Sequence, residues 1–502
     1  MQETVRRILT ARVYDVAEET PLDPMPRLSA RIERPVLLKR EDLQPVFSFK
    51  LRGAYNRIAQ LSDAELAKGV ICASAGNHAQ GVALSAQRRG TEATIVMPTT
   101  TPAIKVAAVK ALGGRVILYG DSFDDAYAEA RRIEAETGAT FVHPFDDPYV
   151  IAGQGTIGLE ILRQYSQALD AVFIPIGGGG LAAGVAAIIR FLSPTTKIIG
   201  VEPAEAPSMK ASIAAGEVTT LDQVGLFADG VAVRRVGDET FRLCRDLLDE
   251  IVLVDTDAIC AAVKDIFDDV RAIAEPSGAV ALAGLKIWAS RNPGTGALAA
   301  INSGANVNFD RLRHVAERAQ IGLGTEALLA VSMPDERGAY HRFLNSLQGR
   351  SITEFNYRWS GDGTAQIFVG VALRESPDER HDLCTALRGA GYAVEDMSDN
   401  ETAKLHLRYM VGGRAPKLTS ERLFRFEFPE RPGAFLKFMN ALQPAWNLTL
   451  FHYRNHGDDV GRVLAGIHAP QGEDEAVTAA LDVLSYPYEE ETMNPAARLF
   501  LA

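Results

Sequence analysis

Apolar residues open the chain at helical spacing. Val5, Ile8, Leu9, Val13 and Val16 predict one amphipathic helix over residues 1–20. Pro21, Pro24 and Pro26 then break the periodicity into an extended approach. Beyond them, short apolar runs alternate with longer helix-spaced stretches. The runs are Val36-Leu37-Leu38-Lys39, Gly69-Val70-Ile71-Cys72-Ala73, Ala93-Thr94-Ile95-Val96-Met97, Arg115-Val116-Ile117-Leu118-Tyr119, Ala171-Val172-Phe173-Ile174-Pro175-Ile176, Lys197-Ile198-Ile199-Gly200-Val201-Glu202 and Ala297-Leu298-Ala299-Ala300-Ile301. Helical patterns follow Lys50 to about residue 61, cover residues 105–112, and form an acid-rich stretch over 122–136. Strands alternating with helices imply parallel sheets covered on both faces. Right-handed crossovers then gather the loops after the strands on one rim, where open α/β sheets hold ligands.

After a charged helix near residues 310–320 the pattern changes and repeats itself. Residues 334–348, with Pro334, Gly338, Ala339, Phe343 and Leu347, match residues 429–443, with Pro429, Gly433, Ala434, Phe438 and Leu442. Each copy continues into a strand with aromatic and basic residues, Glu354-Phe355-Asn356-Tyr357-Arg358 and Leu450-Phe451-His452-Tyr453-Arg454, then a second strand and a second helix. The unit is close to a ferredoxin-like βαββαβ, present twice. It carries no nucleophile, carboxylate pair or metal cluster. Either a binding module or an oligomerising pair fits it.

The chain has 502 residues, too many for one core, so several domains are expected. A net charge of −12 argues against nucleic acid or an anionic membrane as partner. Cys72, Cys244, Cys260 and Cys384 lack metal-ligand spacing and read as reduced thiols of a cytoplasmic protein. Neither a signal peptide nor a membrane span is read.

Candidate chemistry lies in the loops. Lys50 follows Phe49 where a polar loop enters a helix. The positive end of that helix and nearby Arg52 would both lower the lysine pKa, favouring the neutral amine that condenses with an aldehyde. A plain surface lysine is the other reading. Ser74-Ala75-Gly76-Asn77-His78-Ala79-Gln80-Gly81 opens an alanine-rich helix, with Ser74 and Asn77 as N-cap types, and suits either a carboxylate ligand or a capped helix alone. Gly177-Gly178-Gly179-Gly180-Leu181 ends a buried strand and begins a helix, an arrangement able to cradle phosphate or simply to turn. No Lys-Ser/Thr follows, so it is not a P-loop. Gly178, Gly180 and Ala183 also fit a dinucleotide fingerprint, with Glu202 ending the next strand as a ribose-binding acid. Ser303, at a strand's carboxyl end, is a cap or a site residue.

Together, Lys39-Arg40-Glu41-Asp42, Ser48-Phe49-Lys50-Leu51-Arg52-Gly53-Ala54, the loop from Ser74 to Gly81, the four glycines and Ser303-Gly304-Ala305-Asn306 resemble the fold-type II pyridoxal-phosphate enzymes, specifically the biosynthetic threonine deaminases (threonine ammonia-lyases). The resemblance spans the chain, including the doubled C-terminal module and the stretch from Lys404 to Arg414 between its copies. It implies a two-lobed α/β catalytic domain over residues 1–320, mainly parallel in its sheets, with a small lobe inserted at about 50–145. Two ACT-like regulatory subdomains, α+β and ferredoxin-like, would cover residues 326–398 and 420–502. Lys50 would hold pyridoxal 5'-phosphate as a Schiff base. Gly177, Gly178, Gly179, Gly180 and Leu181 would hold its phosphate, Asn77 its ring hydroxyl and Ser303 its ring nitrogen, with Phe49 flanking the ring. Ser74, Ala75, Gly76, Asn77 and His78 would bind the substrate. The implied reaction converts L-threonine to 2-oxobutanoate and ammonia, the first committed step of isoleucine biosynthesis. A homotetramer inhibited by isoleucine and relieved by valine is implied as well. Three alternatives stay open: a serine dehydratase or racemase of the same class, an NAD-dependent oxidoreductase built on Gly178 and Glu202, and a non-enzymatic amino-acid sensor.

Overall fold

The computed structural model describes residues 1–334, 339–350, 352–359, 364–374, 378–409, 421–429, 434–442, 446–454, 460–470 and 472–501. The chain divides into two compact units, Met1–Asn308 and Phe309–Ala502.

The first unit contains two sheets. The larger has six strands in the order Leu22–Pro24, Val36–Arg40, Ala297–Asn302, Leu169–Pro175, Lys197–Pro203 and Glu250–Val254. All its pairings are parallel except that of the edge strand Leu22–Pro24. Its central strands are buried on both faces, the state that continuous apolar runs such as Ala171-Val172-Phe173-Ile174 anticipate. The smaller sheet is wholly parallel, in the order Arg115–Leu118, Ala93–Met97, Val70–Ala73 and Thr140–Phe141. Helices Pro148–Gln164 and Gly180–Leu192 pack together across the larger sheet in one core with Val172, Ile174, Ala186 and Ile301.

The N-terminal helix is shorter than its periodicity predicts. It ends at Leu9, which is exposed, while Val13 is buried in the turns that follow. Tertiary partners replace the helical bonds there. The Arg12 N–H donates to Asn56 Oδ1 (2.8 Å) and the Glu18 N–H to Gln44 Oε1 (3.0 Å).

That segment closes over a cluster of four charges with fully buried side chains. Lys39 Nζ lies 2.6 Å from Glu160, and Arg52 reaches both Glu41 (2.8 Å) and Glu160 (2.5 Å). The Tyr14 hydroxyl donates to Glu160 and the Thr20 hydroxyl to Glu41. Every charge has its counter-charge and further hydrogen bonds, the condition under which buried ions are tolerated. The cluster anchors the helix Lys50–Ile58 against Pro148–Gln164. The two helices approach so closely that a Cβ on Gly153 would stand 2.6 Å from the Arg52 carbonyl oxygen.

The second unit holds two antiparallel four-stranded sheets. The first runs in the order Ile352–Trp359, Thr364–Ala372, Glu326–Pro334, Ala393–Asp396; the second in the order Asn447–Arg454, Val460–His468, Glu421–Pro429, Tyr488–Glu490. Each is a βαββαβ unit with its own core. A shared apolar seam, including Leu328, Phe368, Leu423, Leu464 and Phe500, joins them. The loops 335–338 and 430–433 of the sequence repeat, and residues 410–414 between the copies, lie outside the described residues. The helix Arg311–Gly322 belongs to this unit. Arg318 pairs through both guanidinium nitrogens with Glu401 (2.6 and 2.9 Å), and Arg408 pairs with the buried Glu326 (2.7 Å).

Candidate active site

Lys50 is the first residue of its helix and is partly accessible. Its Nζ donates to the Pro144 carbonyl (3.2 Å) and lies 5.3 Å from the centre of the Phe49 ring. Burial takes its pKa down to about 8, and the Glu275 carboxylate acts in the opposite sense. This corrects one sequence expectation. Arg52 plays no part in lowering the amine's pKa, because its guanidinium is spent in the buried cluster with Glu41 and Glu160. The lysine is still readily deprotonated, by desolvation.

The Pro144 contact ties the lysine to the glycines. The neighbouring Phe145 packs so tightly on the loop that a Cβ on Gly178 would stand 2.2 Å from its ring, and one on Gly180 2.9 Å from its carbonyl oxygen. Gly179 has a φ of 95°, left-handed, and a Cβ there would meet Met209 and Thr240 at 2.7 and 2.8 Å. The Thr240 hydroxyl fixes the Gly178 carbonyl at 2.6 Å. The loop opens the helix Gly180–Leu192, whose first-turn N–H groups have no partners within the helix. Such an end attracts an anion. Leu181 and Phe49 are both buried in the core cluster of the larger sheet.

The loop at Ser303 pairs with the backbone leading to Lys50. Ser48 bridges Gly304, the Phe49 N–H donates to the Ser303 carbonyl (3.2 Å), and the Ala305 N–H donates to the Phe47 carbonyl (2.9 Å). Phe47 has a φ of 55°, an uncommon conformation for a bulky residue, held by these bonds. The Ser303 hydroxyl is buried and donates to the Ser277 carbonyl at 3.3 Å.

The helix Asn77–Arg89 starts differently from expectation. Its N-cap is Gly76, and neither Ser74 nor Asn77 caps it with a side chain. Asn77 is committed elsewhere: its Nδ2 donates to Glu275 Oε1 (2.6 Å), and its Oδ1 accepts from Asn306 Nδ2 (2.7 Å). Ser74 Oγ accepts from the Gly76 N–H at 3.3 Å, which tightens the loop carrying Ala75. A Cβ on Gly76 would meet nothing within 4 Å, so this loop has room beside it. His78 is buried, with Nε2 on the Val142 carbonyl (2.8 Å). Burial pushes its pKa down to about 3, so it is neutral at ordinary pH.

Glu202 does not serve as a nucleotide's ribose-binding acid. Its carboxylate is fully buried and accepts from the Met209 and Lys210 N–H groups (2.7 and 2.9 Å) at the start of the helix Ser208–Ala215. Burial raises its pKa to about 7 against those bonds. Pro144, Phe145 and Glu275 escape a reading of the sequence, since only folding brings them to Lys50 and Asn77, and Asn306, although part of the Ser303-Gly304-Ala305-Asn306 motif, has no role assigned to it there. Glu275 left a local trace: an acid placed just before a proline at a helix start.

The arrangement fits pyridoxal phosphate group by group. A readily deprotonated amine suits its aldehyde, a helix start on four glycines its phosphate, a locked amide its ring hydroxyl and a buried serine its ring nitrogen. Comparison with known proteins agrees. Residues 13–304 match the model for pyridoxal-phosphate dependent enzymes, and the chain belongs to that class. Residues 317–407 and 412–501 each match the C-terminal regulatory domain of threonine dehydratase. The chain is 55% identical over 502 residues to the biosynthetic L-threonine dehydratase of Burkholderia multivorans, covering 99% of both chains. With that of Escherichia coli it shares 55% over 501 residues, 100% of this chain and 97% of the relative. Within its class, therefore, it belongs to the biosynthetic threonine dehydratase family. Among solved structures, processed threonine deaminase isoform 2 of Solanum lycopersicum aligns with a TM-score of 0.63 and 53% identity, covering 64% of this chain and 88% of that one. Maize serine racemase aligns at 0.59 and 35%, covering 62% and 96%.

Proposed function

We propose that the chain is a threonine ammonia-lyase that converts L-threonine to 2-oxobutanoate and ammonia, with Lys50 as its reactive amine. The carrying observation is the placement of that amine, with a pKa near 8, on Pro144, next to the Phe145 that packs on the glycine loop. Pyridoxal phosphate, when bound, supplies the electron sink that acidifies the amino acid's α-carbon. The protein supplies the rest. Lys50, the residue that would hold the cofactor, would also be the base whose Nζ takes the α-proton, and a pKa near 8 suits proton transfer close to neutral pH. The loop of Ser74, Ala75, Gly76 and Asn77 has room beside Gly76 and would receive the substrate carboxylate through backbone N–H groups. His78, neutral and held on Val142, would contribute through its backbone. Ser303, whose hydroxyl donates to the Ser277 carbonyl, would have to turn that hydrogen to the ring nitrogen, where it would be a neutral partner rather than a charged one.

The second unit is read as two ACT-like subdomains within 326–398 and 420–502 that bind isoleucine as inhibitor, with valine relieving it, in a homotetramer. Such regulation requires isoleucine to bind the less active state more tightly. A cytoplasmic setting suits the four buried free cysteines. Among the described residues no helix is long and apolar enough to cross a membrane. The serine-racemase reading draws on the maize structure, but the regulatory domain match and the full-length identities favour threonine dehydration.

The test is an absorbance spectrum of the purified chain with pyridoxal phosphate, before and after threonine, with 2-oxobutanoate assayed with and without isoleucine. Lys50→Ala should lose both the lysine-dependent visible band and turnover. A variant that keeps turnover would refute the assignment.

A further inference from the structure

Glu275 occupies the N-cap position of the helix Pro276–Arg291, yet its side chain makes no capping bond. The backbone holds the residue firmly instead. Its N–H donates to the Gly304 carbonyl (3.1 Å), and its carbonyl accepts from the Gly278 N–H (2.8 Å). The buried carboxylate runs alongside Gly304, where a Cβ would stand 2.7 Å from Oε1, and reaches Asn77 Nδ2 at 2.6 Å.

The consequence for Asn77 is directional. An ionised carboxylate only accepts hydrogen bonds, and the Asn306 amide donates from the other side. Flipping the Asn77 amide would oppose acceptor to acceptor and donor to donor. The amide is therefore locked, and its second Nδ2 hydrogen remains for another partner. The same carboxylate is the charge that acts on the Lys50 amine. His78 and His143 also sense Lys50, but burial takes their pKa values down to about 3 and about 4, so neither is charged near neutrality.

We propose that Glu275 is the positioning residue of this site, locking the Asn77 amide as a donor and supplying the negative charge that acts on Lys50. The proposal rests on the reading of Lys50 and Asn77 as cofactor residues.

Full-length wild type, E275Q, N77A and the double variant test it by two readouts. The first is acylation of Lys50 against pH in the chain without added cofactor, followed by peptide mass spectrometry. Removing the negative charge should move the labelling midpoint of E275Q down by about one pH unit. The second is pyridoxal phosphate affinity by absorbance titration. If Glu275 acts through Asn77, the double variant should lose no more than the worse single variant. An unchanged midpoint, or losses that multiply in the double variant, would overturn the proposal. Should E275Q fail to fold, E275D carries the test. Its charge is kept and its reach shortened, so the midpoint should hold while affinity falls; wild-type affinity in E275D would overturn the proposal. A wild-type chain that takes up no pyridoxal phosphate would sink the cofactor reading, while the labelling midpoint would still report on the charge.

Discussion

At the residue scale, the four glycines are demanded by their protein neighbours as well as by any anion. Phe145 occupies the space a Cβ on Gly178 or Gly180 would need. Gly180→Ala has backbone as its obstacle, so the loop itself must shift. Overpacking of this kind costs about 1–3 kcal/mol. Pyridoxal phosphate affinity should also fall by about tenfold or more, since 1.4 kcal/mol corresponds to a factor of ten. Absorbance titration beside a thermal melt checks both, and unchanged affinity would mean that the loop is a turn and nothing more. Residue-scale reading of the sequence had a characteristic reach. Lys50, Asn77 and the glycines stand out because each sits at a strand or helix end with unusual neighbours. The cause of the Lys50 pKa did not: adjacency in sequence pointed to Arg52, whereas the fold turns that side chain into the ion cluster and leaves desolvation to act.

At the scale of elements, continuous apolar runs located the strands well, because a strand buried on both faces needs no alternation. The N-terminal helix stops short of its apolar pattern for the opposite reason. Its apolar spacing persists past Leu9, but Asn56 and Gln44 capture the backbone first, and nothing local signals that. The helix Arg311–Gly322 illustrates how ion pairs bind elements together. Burial opposes ionisation of Glu401, but the Arg318 and Lys404 charges outweigh it and take its pKa down to about 2. A pKa below the unfolded value adds stability above that value and loses it as pH falls. The contribution should therefore be complete above about pH 4.5 and vanish towards pH 2. Glu401 is partly solvent-exposed, which limits the pair to about 1 kcal/mol. Glu401→Gln should lower the melting temperature of the second unit by about 2–4 °C at pH 7. The difference from wild type should disappear on acidification; a pH-independent difference would point to lost packing instead.

At the scale of the whole molecule, the division between Asn308 and Phe309 suggests where catalysis and control part. A chain ending at residue 308 should turn over threonine and ignore isoleucine, as judged by 2-oxobutanoate release. Cutting near residue 320 would strand most of the Arg311–Gly322 helix without Glu401, so the earlier cut is the cleaner test. Inhibition surviving the earlier cut would move the effector site into the first unit. The doubled βαββαβ architecture was visible in the sequence because both copies keep their apolar spacing. The seam between them was not, since Leu328, Phe368, Leu423 and Leu464 each lie within a strand that also feeds its own copy's core.

Lys39, Glu41, Arg52 and Glu160 form a set that mutation can hardly take apart one piece at a time. Exchanging Arg52 or Glu160 for an apolar residue strands Glu41 or Lys39 in a dry interior, at about 3–5 kcal/mol, and exchanging Lys39 or Glu41 leaves the remaining three with one uncompensated charge, whereas trading all four for well-fitted hydrophobic side chains could be nearly neutral. Random single-codon libraries should therefore be barren at these positions. A combinatorial library varying all four together should return folded chains, and through them show how narrow the road between the two solutions is.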